Sequence, residues 1–371
     1  MSNPEVPWYL VDDIQRIDSP ALLVYPDRVK RNIAIALEMV GDVNRLRPHV
    51  KTHKSQEITN LLLQAGVTRF KCATIAEAEM LGRCKAPDVL LAYQPVGPKI
   101  GRLLSLIKSF PATRFSCLLD SEKAAQGLAA AVPKGHCIDV FLDLNVGMNR
   151  TGISPQKAAA LYATCKQLTG LHVIGLHAYD GHIADADTSM RKQRADEAYS
   201  QLVEVKKELA DLGYSNPVLV IGGSPTFPVH ASRTDVECSP GTFVYWDWSY
   251  SEGLPDMAFL PAALVVSRVV SVLSENQFCL DLGHKAVAAE NPLLRRVKWL
   301  DAGELTPVGH SEEHLVMESA IANKYRVGDM LYGIPFHICP TVALYDTAFV
   351  IENALVKEKW QNVARSRTLS L

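Results

Sequence analysis

A predicted strand ends in the stretch Arg47-Pro48-His49-Val50-Lys51-Thr52-His53-Lys54, which carries three cations and two imidazoles where an ordinary polar turn would be expected. A lysine at the carboxyl end of a barrel strand, close to other cations, can lose its proton and attack a carbonyl to form a Schiff base. A basic surface turn is the simpler interpretation of such a cluster. The rest of the chain favours the Schiff-base lysine, because its pattern predicts a barrel with Lys51 at the mouth.

The first two-thirds of the chain alternate short β-rich runs with amphipathic stretches such as residues 54–65 and 155–168. Strand followed by helix, repeated eight times, is typical of a parallel (β/α)₈ barrel. The fold class is therefore α/β. The eight predicted strands are residues 46–51, 69–74, 88–93, 114–120, 138–145, 172–179, 218–223 and 236–245.

After Trp246 the pattern changes to β-runs without long helices between them, which predicts a C-terminal β domain. We place the barrel at residues 27–245 and the β domain at 246–371. An extra early run, residues 21–25, is expected to pair outside the barrel. The predicted strands of the β domain are residues 264–272, 277–282, 315–318, 330–332, 342–345 and 347–351.

Composition favours a cytoplasmic protein that acts on a small molecule. Of the 371 residues, 48% are hydrophobic and 21% charged, and the net charge of −2 comes with no basic stripe for nucleic acid or a membrane surface. The apolar run 259–273 is broken by Arg268 and is too short to span a bilayer. Residues 1–7 lack the layout of a signal peptide, and eight cysteines without regular spacing suit a reducing compartment.

Glycine-rich turns follow the predicted strand seven and interrupt strand eight: Gly222-Gly223-Ser224-Pro225-Thr226 and Pro240-Gly241-Thr242. Barrels commonly bind phosphate at these two loops, where backbone N–H groups and hydroxyls approach the anion. A phosphate held there would lie beside strand one and Lys51. The cofactor that carries both a phosphate and an aldehyde is pyridoxal 5′-phosphate, and the predicted cofactor-binding residues include Lys51, Gly222, Gly223, Ser224, Gly241 and Thr242.

Two further loops supply candidates at the same mouth. In the loop 145–152 after strand five, Arg150 is predicted to face the phenolic oxygen of the cofactor, and a salt-bridged loop residue is the alternative. Strand six ends in residues 177–182, which give Tyr179 a cofactor-binding position and His182 a catalytic one. His53 is the other candidate catalytic histidine, and one of the histidines at the end of strand six can instead be a core residue.

The β domain carries a candidate metal site in Pro335-Phe336-His337-Ile338-Cys339-Pro340. In an extended segment His337 and Cys339 point to one face, and imidazole and thiolate are good ligands for zinc and its neighbours. Water and substrate would complete the coordination. The segment 310–314 either supplies side chains that hydrogen-bond to these two ligands or is a solvated polar loop.

These motifs together resemble the family of D-threonine aldolase and D-serine dehydratase, fold-type III pyridoxal-phosphate enzymes related to alanine racemase. The likeness covers nearly the whole chain and is most specific at residues 47–54, 147–152, 179–182, 222–226 and 337–341. It implies that Lys51 is the Schiff-base lysine and that His337 and Cys339 hold Mn²⁺ or Zn²⁺ against the β-hydroxyl of the substrate. It also implies that residues 1–26 join the β domain and that the protein is a homodimer.

The resemblance leaves two reactions open. An aldolase would cleave a D-β-hydroxy-α-amino acid into glycine and an aldehyde, and this is the reaction we rank first. The alternative is a dehydratase acting on D-serine or D-3-hydroxyaspartate, which the thiolate ligand Cys339 favours. A racemase would need a second acid–base group and no metal, and a non-catalytic pyridoxal-phosphate carrier would need only the barrel.

Overall fold

The computed structural model describes residues 7–214, 216–320 and 324–371. In chain order its strands are β1 (Ala21–Val24), β2 (Arg69–Cys72), β3 (Asp88–Leu91), β4 (Arg114–Leu119), β5 (Ile138–Leu144), β6 (Leu171–Ala178), β7 (Val218–Ile221), β8 (Glu237–Cys238), β9 (Ala263–Val272), β10 (Gln277–Leu280), β11 (Val297–Trp299), β12 (Thr306–His310), β13 (Leu315–Glu318), β14 (Met330–Pro335), β15 (Thr347–Glu352) and β16 (Leu355–Gln361). Its helices are α1 (Pro26–Val40), α2 (Gln56–Gln64), α3 (Ile75–Arg83), α4 (Pro98–Ser109), α5 (Glu122–Ala131), α6 (Ala158–Gln167), α7 (Thr188–Asp211), α8 (Phe227–Ala231), α9 (Trp248–Gly253) and α10 (Ile338–Val342).

The strands β2 to β8 form one parallel sheet in sequence order, and helices follow most of them. The segment predicted as strand one is not a regular strand. It closes the ring through two isolated bridges, Leu46 to Cys238 on β8 and His49 to Lys71 on β2. Pro48 has no N–H to donate, which interrupts the ladder there. The predicted strand eight is likewise reduced to two residues, because the chain turns at Pro240 into the loop of the site.

The interior of the barrel is filled by apolar side chains from β3, β4, β5 and β7. Leu90, Leu118, Phe141 and Val220 form a small cluster inside the ring. Below it lies Arg47, whose guanidinium pairs with the carboxylates of Asp88 and Glu237 at 2.5 Å and 2.6 Å. The barrel is therefore packed at its base.

The second sheet combines the C-terminal strands with β1, as the resemblance implied. Its order is β12-β13-β10-β9-β1-β15-β16, with β14 pairing β9 and β11 pairing β14. The strand β1 runs antiparallel to β9 and parallel to β15. Both of its faces are buried, since Leu22 and Val24 belong to the large core and Ala21 and Leu23 to the core under residues 9–17. This explains its uninterrupted apolar sequence.

Several predictions for the β domain were wrong in detail. The predicted strand at 342–345 does not form, because α10 occupies residues up to Val342 and a turn follows. Three strands were missed: β11, β12 and β16. The strand β12 carries Pro307 and Gly309, and β16 is mostly exposed and charged, so neither shows a strand pattern. In the described part of the chain, no helix is long and apolar enough to cross a membrane. Residues 1–6, most of the segment that we compared with a signal peptide, lie outside the described residues.

Candidate active site

A cavity of about 360 Å³ opens at the carboxyl ends of the barrel strands. It brings together Lys51, Arg150 and Tyr179, three of the residues predicted from the sequence. The full lining consists of His49, Lys51, Lys71, Ala73, Ala92, Tyr93, Leu118, Asp143, Arg150, Thr151, His177 and Tyr179. Polar groups therefore converge on a pocket of the size that small ligands occupy.

Lys51 differs from its neighbour Lys54 in having no ion-pair partner among the residues that the structure describes. The chain turns tightly after Val50, whose carbonyl accepts the backbone N–H of Lys54 at 3.0 Å. The ammonium group of Lys54 pairs with the fully buried carboxylate of Glu77. Among the described residues, no carboxylate lies within ion-pair distance of Lys51, whose Nζ lies 5.7 Å from the centre of the Tyr179 ring. Lys51 is thus the lysine of the motif that is available for chemistry.

The loops after β7 and β8 meet through Ser224. Its hydroxyl oxygen accepts the backbone N–H groups of Gly241 at 3.2 Å and Thr242 at 3.1 Å. The Gly223 N–H donates to the Thr226 hydroxyl at 3.3 Å. Backbone N–H groups and hydroxyls therefore cluster at one place, and this donor set suits a phosphate.

The residues Gly222, Gly223, Ser224, Gly241 and Thr242 form a glycine-rich cradle. Glycine is required in this cradle because other groups lie close to its backbone. A Cβ at Gly241 would lie 3.0 Å from the carbonyl oxygen of His49, and one at Gly223 would lie 3.0 Å from the Tyr179 ring. Gly222 has a φ of +89°, and a Cβ there would lie 2.7 Å from His230. The cradle thus touches both the Lys51 segment and Tyr179, so the residues present fit a phosphate-bearing cofactor.

A buried carboxylate fixes the loop that carries Gly222 and Gly223. Asp180, which follows Tyr179, accepts the Thr226 hydroxyl at 2.8 Å and pairs with Nε2 of His230 at 2.7 Å. All three side chains are buried. Asp180 thereby links the end of β6 to the loop after β7.

The two predicted catalytic histidines do not line the cavity. His53 is buried; its Nδ1 accepts the Ser55 N–H at 3.2 Å, and its Nε2 has no hydrogen-bond partner among the described residues. Burial lowers the pKa of His53 to about 3, so it is neutral. His182 is half-buried and lies over Gly147, where a Cβ would be 2.8 Å from its Nε2. Catalytic roles for both stay predictions.

The cavity residues to which sequence reasoning assigned no role include Lys71, Asp143 and His177. Lys71 is 2% exposed, and its Nζ lies 3.4 Å from Nε2 of His177, whose Nδ1 pairs with Asp143 at 2.7 Å. The pKa of Lys71 is lowered to about 7, mainly by burial and secondly by the positive charge of Lys51. The signal was present in the sequence, because Lys71 sits between Phe70 and Cys72 in a short apolar strand.

The metal-site motif adopts a different conformation from the one predicted. His337 is extended, with φ −133° and ψ 101°, but Ile338 to Val342 form the short helix α10 instead of continuing the strand. The buried carboxylate of Asp247 accepts the Ile338 N–H at 3.1 Å and holds the start of this helix. His337 and Cys339 nevertheless remain together, joined by a hydrogen bond between their side chains.

The chemistry of this pair suits a divalent cation. Although burial disfavours charge on His337, the hydrogen bond and charge of Cys339 raise its pKa to about 9. For Cys339, burial opposes the thiolate, but the hydrogen bond and charge of His337 and the charge of Lys51 lower the pKa. A metal ion would replace the proton that the two side chains share, since thiolate and neutral imidazole are the binding forms.

The pair lies beside the barrel site. The Sγ of Cys339 is 3.1 Å from the hydroxyl of Thr52 and 3.7 Å from that of Thr242. Thr52 follows Lys51, and Thr242 belongs to the glycine-rich cradle. The two predicted constellations, from different parts of the chain, therefore form one site.

His337 has a carboxylate partner that the sequence did not reveal. Its Nδ1 pairs with Glu290 at 2.6 Å, an arrangement that orients metal-binding histidines. The segment 310–314 does not provide this partner: His310 bonds the Leu282 carbonyl at 2.9 Å, and Glu312 and Glu313 pair with Lys285. Across residues 7–214, 216–320 and 324–371, no group of three His, Cys, Asp or Glu residues is arranged to hold a metal.

Comparison with known proteins agrees with this architecture. Residues 24–247 match the family described as alanine racemase, N-terminal domain, and residues 262–351 match the putative serine dehydratase domain. A D-threonine aldolase of Arthrobacter sp is 28% identical over 369 residues, covering 95% of this chain and 94% of that one. A D-threo-3-hydroxyaspartate dehydratase of Delftia sp. (strain HT23) is 25% identical over 360 residues, covering 90% and 94%.

A solved structure of D-threonine aldolase from Filomicrobium marinum superposes with a TM-score of 0.86 at 27% identity, covering 95% of this chain and 96% of that one. The resemblance and the fold class predicted from the sequence are confirmed. The chain therefore belongs to the alanine racemase-like family of pyridoxal-phosphate proteins, with a serine dehydratase domain match in its C-terminal part, and the relatives that it resembles over nearly their whole length are a named aldolase and a named dehydratase.

Proposed function

We propose that this protein is a lyase that cleaves D-β-hydroxy-α-amino acids into glycine and an aldehyde, using pyridoxal 5′-phosphate and a divalent metal ion. The observation that carries the proposal is the contact of Cys339 with Thr52, the residue after Lys51. It puts a candidate metal pair next to the candidate Schiff-base lysine. A racemase would have no use for such a pair.

Lys51 would hold the cofactor aldehyde, and the cradle of Gly222, Gly223, Ser224, Gly241 and Thr242 would hold its phosphate. The bound cofactor supplies an electron sink for the bond that breaks at the substrate α-carbon. Tyr179 lies between these two anchors, with the Arg150 guanidinium 5.0 Å from its ring centre and Gly223 against the same ring. Tyr179 and Arg150 would therefore orient the cofactor between the two anchors.

His337 and Cys339 would hold Mn²⁺ or Zn²⁺, with water and substrate as the other ligands. A bound ion polarises a substrate oxygen and stabilises the negative charge that develops on it. Glu290 would keep the His337 ring oriented for this role. The hydroxyls of Thr52 and Thr242 contact the Cys339 sulfur, next to Lys51 and the glycine-rich cradle.

A dehydratase is the second candidate. The matched relative from Delftia is a dehydratase, and the thiolate of Cys339 is the observation that favours this reaction. The same residues would serve it, with the ion acting on a hydroxyl that leaves. We also propose that the protein is a homodimer and that it is located in the cytoplasm. The boundary between the barrel and the β domain is proposed to lie between residues 245 and 246.

Product analysis separates the candidates. The holoenzyme with Mn²⁺ or Zn²⁺ is incubated with D-threonine, D-serine and D-3-hydroxyaspartate, with L-threonine as the control. Glycine and acetaldehyde from D-threonine are expected. Pyruvate and ammonia from D-serine, or ammonia from D-3-hydroxyaspartate, without glycine from D-threonine would assign the dehydratase, and efficient use of L-threonine would contradict both.

A further inference from the structure

The cavity contains a second lysine whose surroundings are unusual for a structural role. Lys71 is 2% exposed, and lysines so deeply buried are almost always ion-paired. Among the described residues, no carboxylate lies within 4.0 Å of its Nζ, whereas Arg47 on the neighbouring segment has two such partners. The polar contact of the Lys71 amine is with Nε2 of His177, at 3.4 Å.

The Asp143 carboxylate determines what this contact can do. Because Asp143 pairs with Nδ1 of His177 at 2.7 Å, the ring hydrogen is held on Nδ1 and Nε2 is left as an acceptor. The pKa of His177 is lowered, mainly by burial and secondly by the positive charge of Lys71, and this favours the neutral ring. The amine of Lys71 thus has one fixed acceptor on one side and the cavity on the other.

We propose that Lys71 is a second acid–base amine of the active site, which exchanges a proton with the amino acid bound in the cavity while His177 and Asp143 hold it in place. The identity of that molecule as an amino acid rests on the proposed function. In the step, the neutral amine takes the proton of the substrate β-hydroxyl as the Cα–Cβ bond breaks; the O–H electron pair completes the aldehyde carbonyl and the Cα–Cβ pair stays with the α-carbon. The resulting ammonium then gives the proton to the α-carbon and forms the new C–H bond of glycine, so the cycle needs no co-reactant. Removal of the α-hydrogen from an amino acid is the reverse of this second transfer.

The electrostatics of the cavity agree with this role. Burial and the positive charges of Lys51 and Arg47 disfavour the ammonium form, while the carboxylates of Asp143 and Asp180 favour it, and the balance brings the pKa of Lys71 to about 7. Amines serve as general bases when their pKa lies near the working pH. The ionisable groups that face Lys71 are Arg47, His49 and Lys51 from the segment before α2, Asp143 from β5, and His177, Tyr179 and Asp180 from the end of β6.

The first test does not depend on turnover. In protein labelled with ¹³C at lysine Cε, the Lys71 signal is identified by its loss in Lys71→Met and is followed against pH, with and without cofactor. The surface substitution Lys123→Met, which should leave this signal in place, is the control for assignment. In the cofactor-free protein a midpoint near pH 7 is expected, and a midpoint near the ordinary lysine value of about 10.4 would overturn the proposal.

The second test separates proton exchange from simple positive charge. The holoenzyme is incubated with D-alanine in D₂O, because D-alanine has no β-hydroxyl and its α-hydrogen exchange needs neither lyase chemistry nor the metal. Lys71→Met and Lys71→Arg should both lose about 100-fold or more of the exchange rate while keeping the cofactor absorbance, since arginine keeps the charge but cannot give up its proton. Exchange retained in Lys71→Arg or in Lys71→Met would overturn the proposal, and if the Met variant does not fold, Lys71→Arg decides alone.

Failure of this inference is distinguishable from failure of the proposed function. A protein that makes glycine from D-threonine but shows an ordinary lysine titration refutes only the role of Lys71. A protein that exchanges the α-hydrogen of D-alanine through Lys71 but cleaves no β-hydroxy amino acid refutes only the lyase.

Discussion

At the scale of single residues, the charge and orientation of each side chain in this site depend on the groups that it contacts. Lys54 is neutralised by Glu77, whereas Lys51, three residues earlier at the mouth of the cavity, has no carboxylate partner in the described part of the chain. Their surroundings differ although both belong to the segment 47–54. The sequence predicted Lys51 correctly as a cavity residue because it could be placed at the end of a barrel strand. It could not reveal Lys71, His177 or Asp143 as a group, because their contacts join different strands.

Glu290 offers a residue-scale prediction. Glu290→Gln should weaken the affinity for Zn²⁺ about 10- to 100-fold, because the neutral amide orients His337 less firmly and lowers its basicity as a ligand. The affinity is measured by calorimetry on metal-free protein.

The matched control is Glu312→Gln, which changes an exposed carboxylate paired with Lys285 and away from His337. It should leave the affinity unchanged. Equal effects of the two substitutions, or none from Glu290→Gln, would show that Glu290 does not support a metal ligand.

At the level of elements, the site depends on loops rather than on regular structure. The parallel strands β2 to β7 were predictable from the alternation of apolar runs and amphipathic helices. The segment 46–51 and the loop after β8 were not, because Pro48 and Pro240 interrupt the ladder just where the cradle forms. The helix α10 at Cys339 was also missed, since its start depends on Asp247, which lies far away in sequence.

The close approach of the two loops gives an element-scale prediction. Gly241→Ala should weaken retention of pyridoxal 5′-phosphate roughly 5- to 150-fold, because the new Cβ would lie 3.0 Å from the His49 carbonyl and 3.1 Å from its Cβ, a packing strain of about 1–3 kcal/mol. Retention is measured by cofactor absorbance during dialysis.

Gly127→Ala in α5 is the control, because a Cβ there meets nothing within 4 Å. It should leave retention unchanged and raise stability slightly, by about 1 kcal/mol. Normal retention in Gly241→Ala would mean that the cradle does not hold the phosphate.

On the scale of the whole molecule, one site is assembled from two sheets. The barrel supplies Lys51 and the glycine-rich cradle, and the C-terminal segment supplies His337 and Cys339 at their edge. The position of β1 between β9 and β15 ties the start of the chain into the second sheet. The sequence assigned the cofactor residues to the barrel and the metal pair to the β domain, a division of roles that stays a prediction, whereas the pairing of β1 that the resemblance implied is present in the structure. The contact between Cys339 and Thr52 required the structure, because the two residues are 287 positions apart.

This division predicts that the metal and the cofactor can be lost separately. His337→Ala, Cys339→Ala or treatment with a chelator should abolish turnover and leave the cofactor absorbance intact, because these residues lie outside the cradle. Added Mn²⁺ or Zn²⁺ should restore the chelated wild type only. The control Cys137→Ala removes an exposed thiol of the barrel. Full activity after chelation would exclude metal catalysis, and loss of cofactor from the variants would indicate that the metal pair supports the cradle.

Lys51, and no other lysine, is expected to carry the cofactor. The measurement is borohydride reduction of the holoenzyme near neutral pH, followed by proteolysis and mass mapping of the pyridoxyl-lysine. Lys71 is the main alternative attachment point for the cofactor, because it lines the same cavity and its pKa of about 7 leaves it partly neutral. The structure predicts the label on Lys51, which adjoins the cradle through His49 and Thr52. A label on Lys71 or Lys54, or no label at all, would contradict the account.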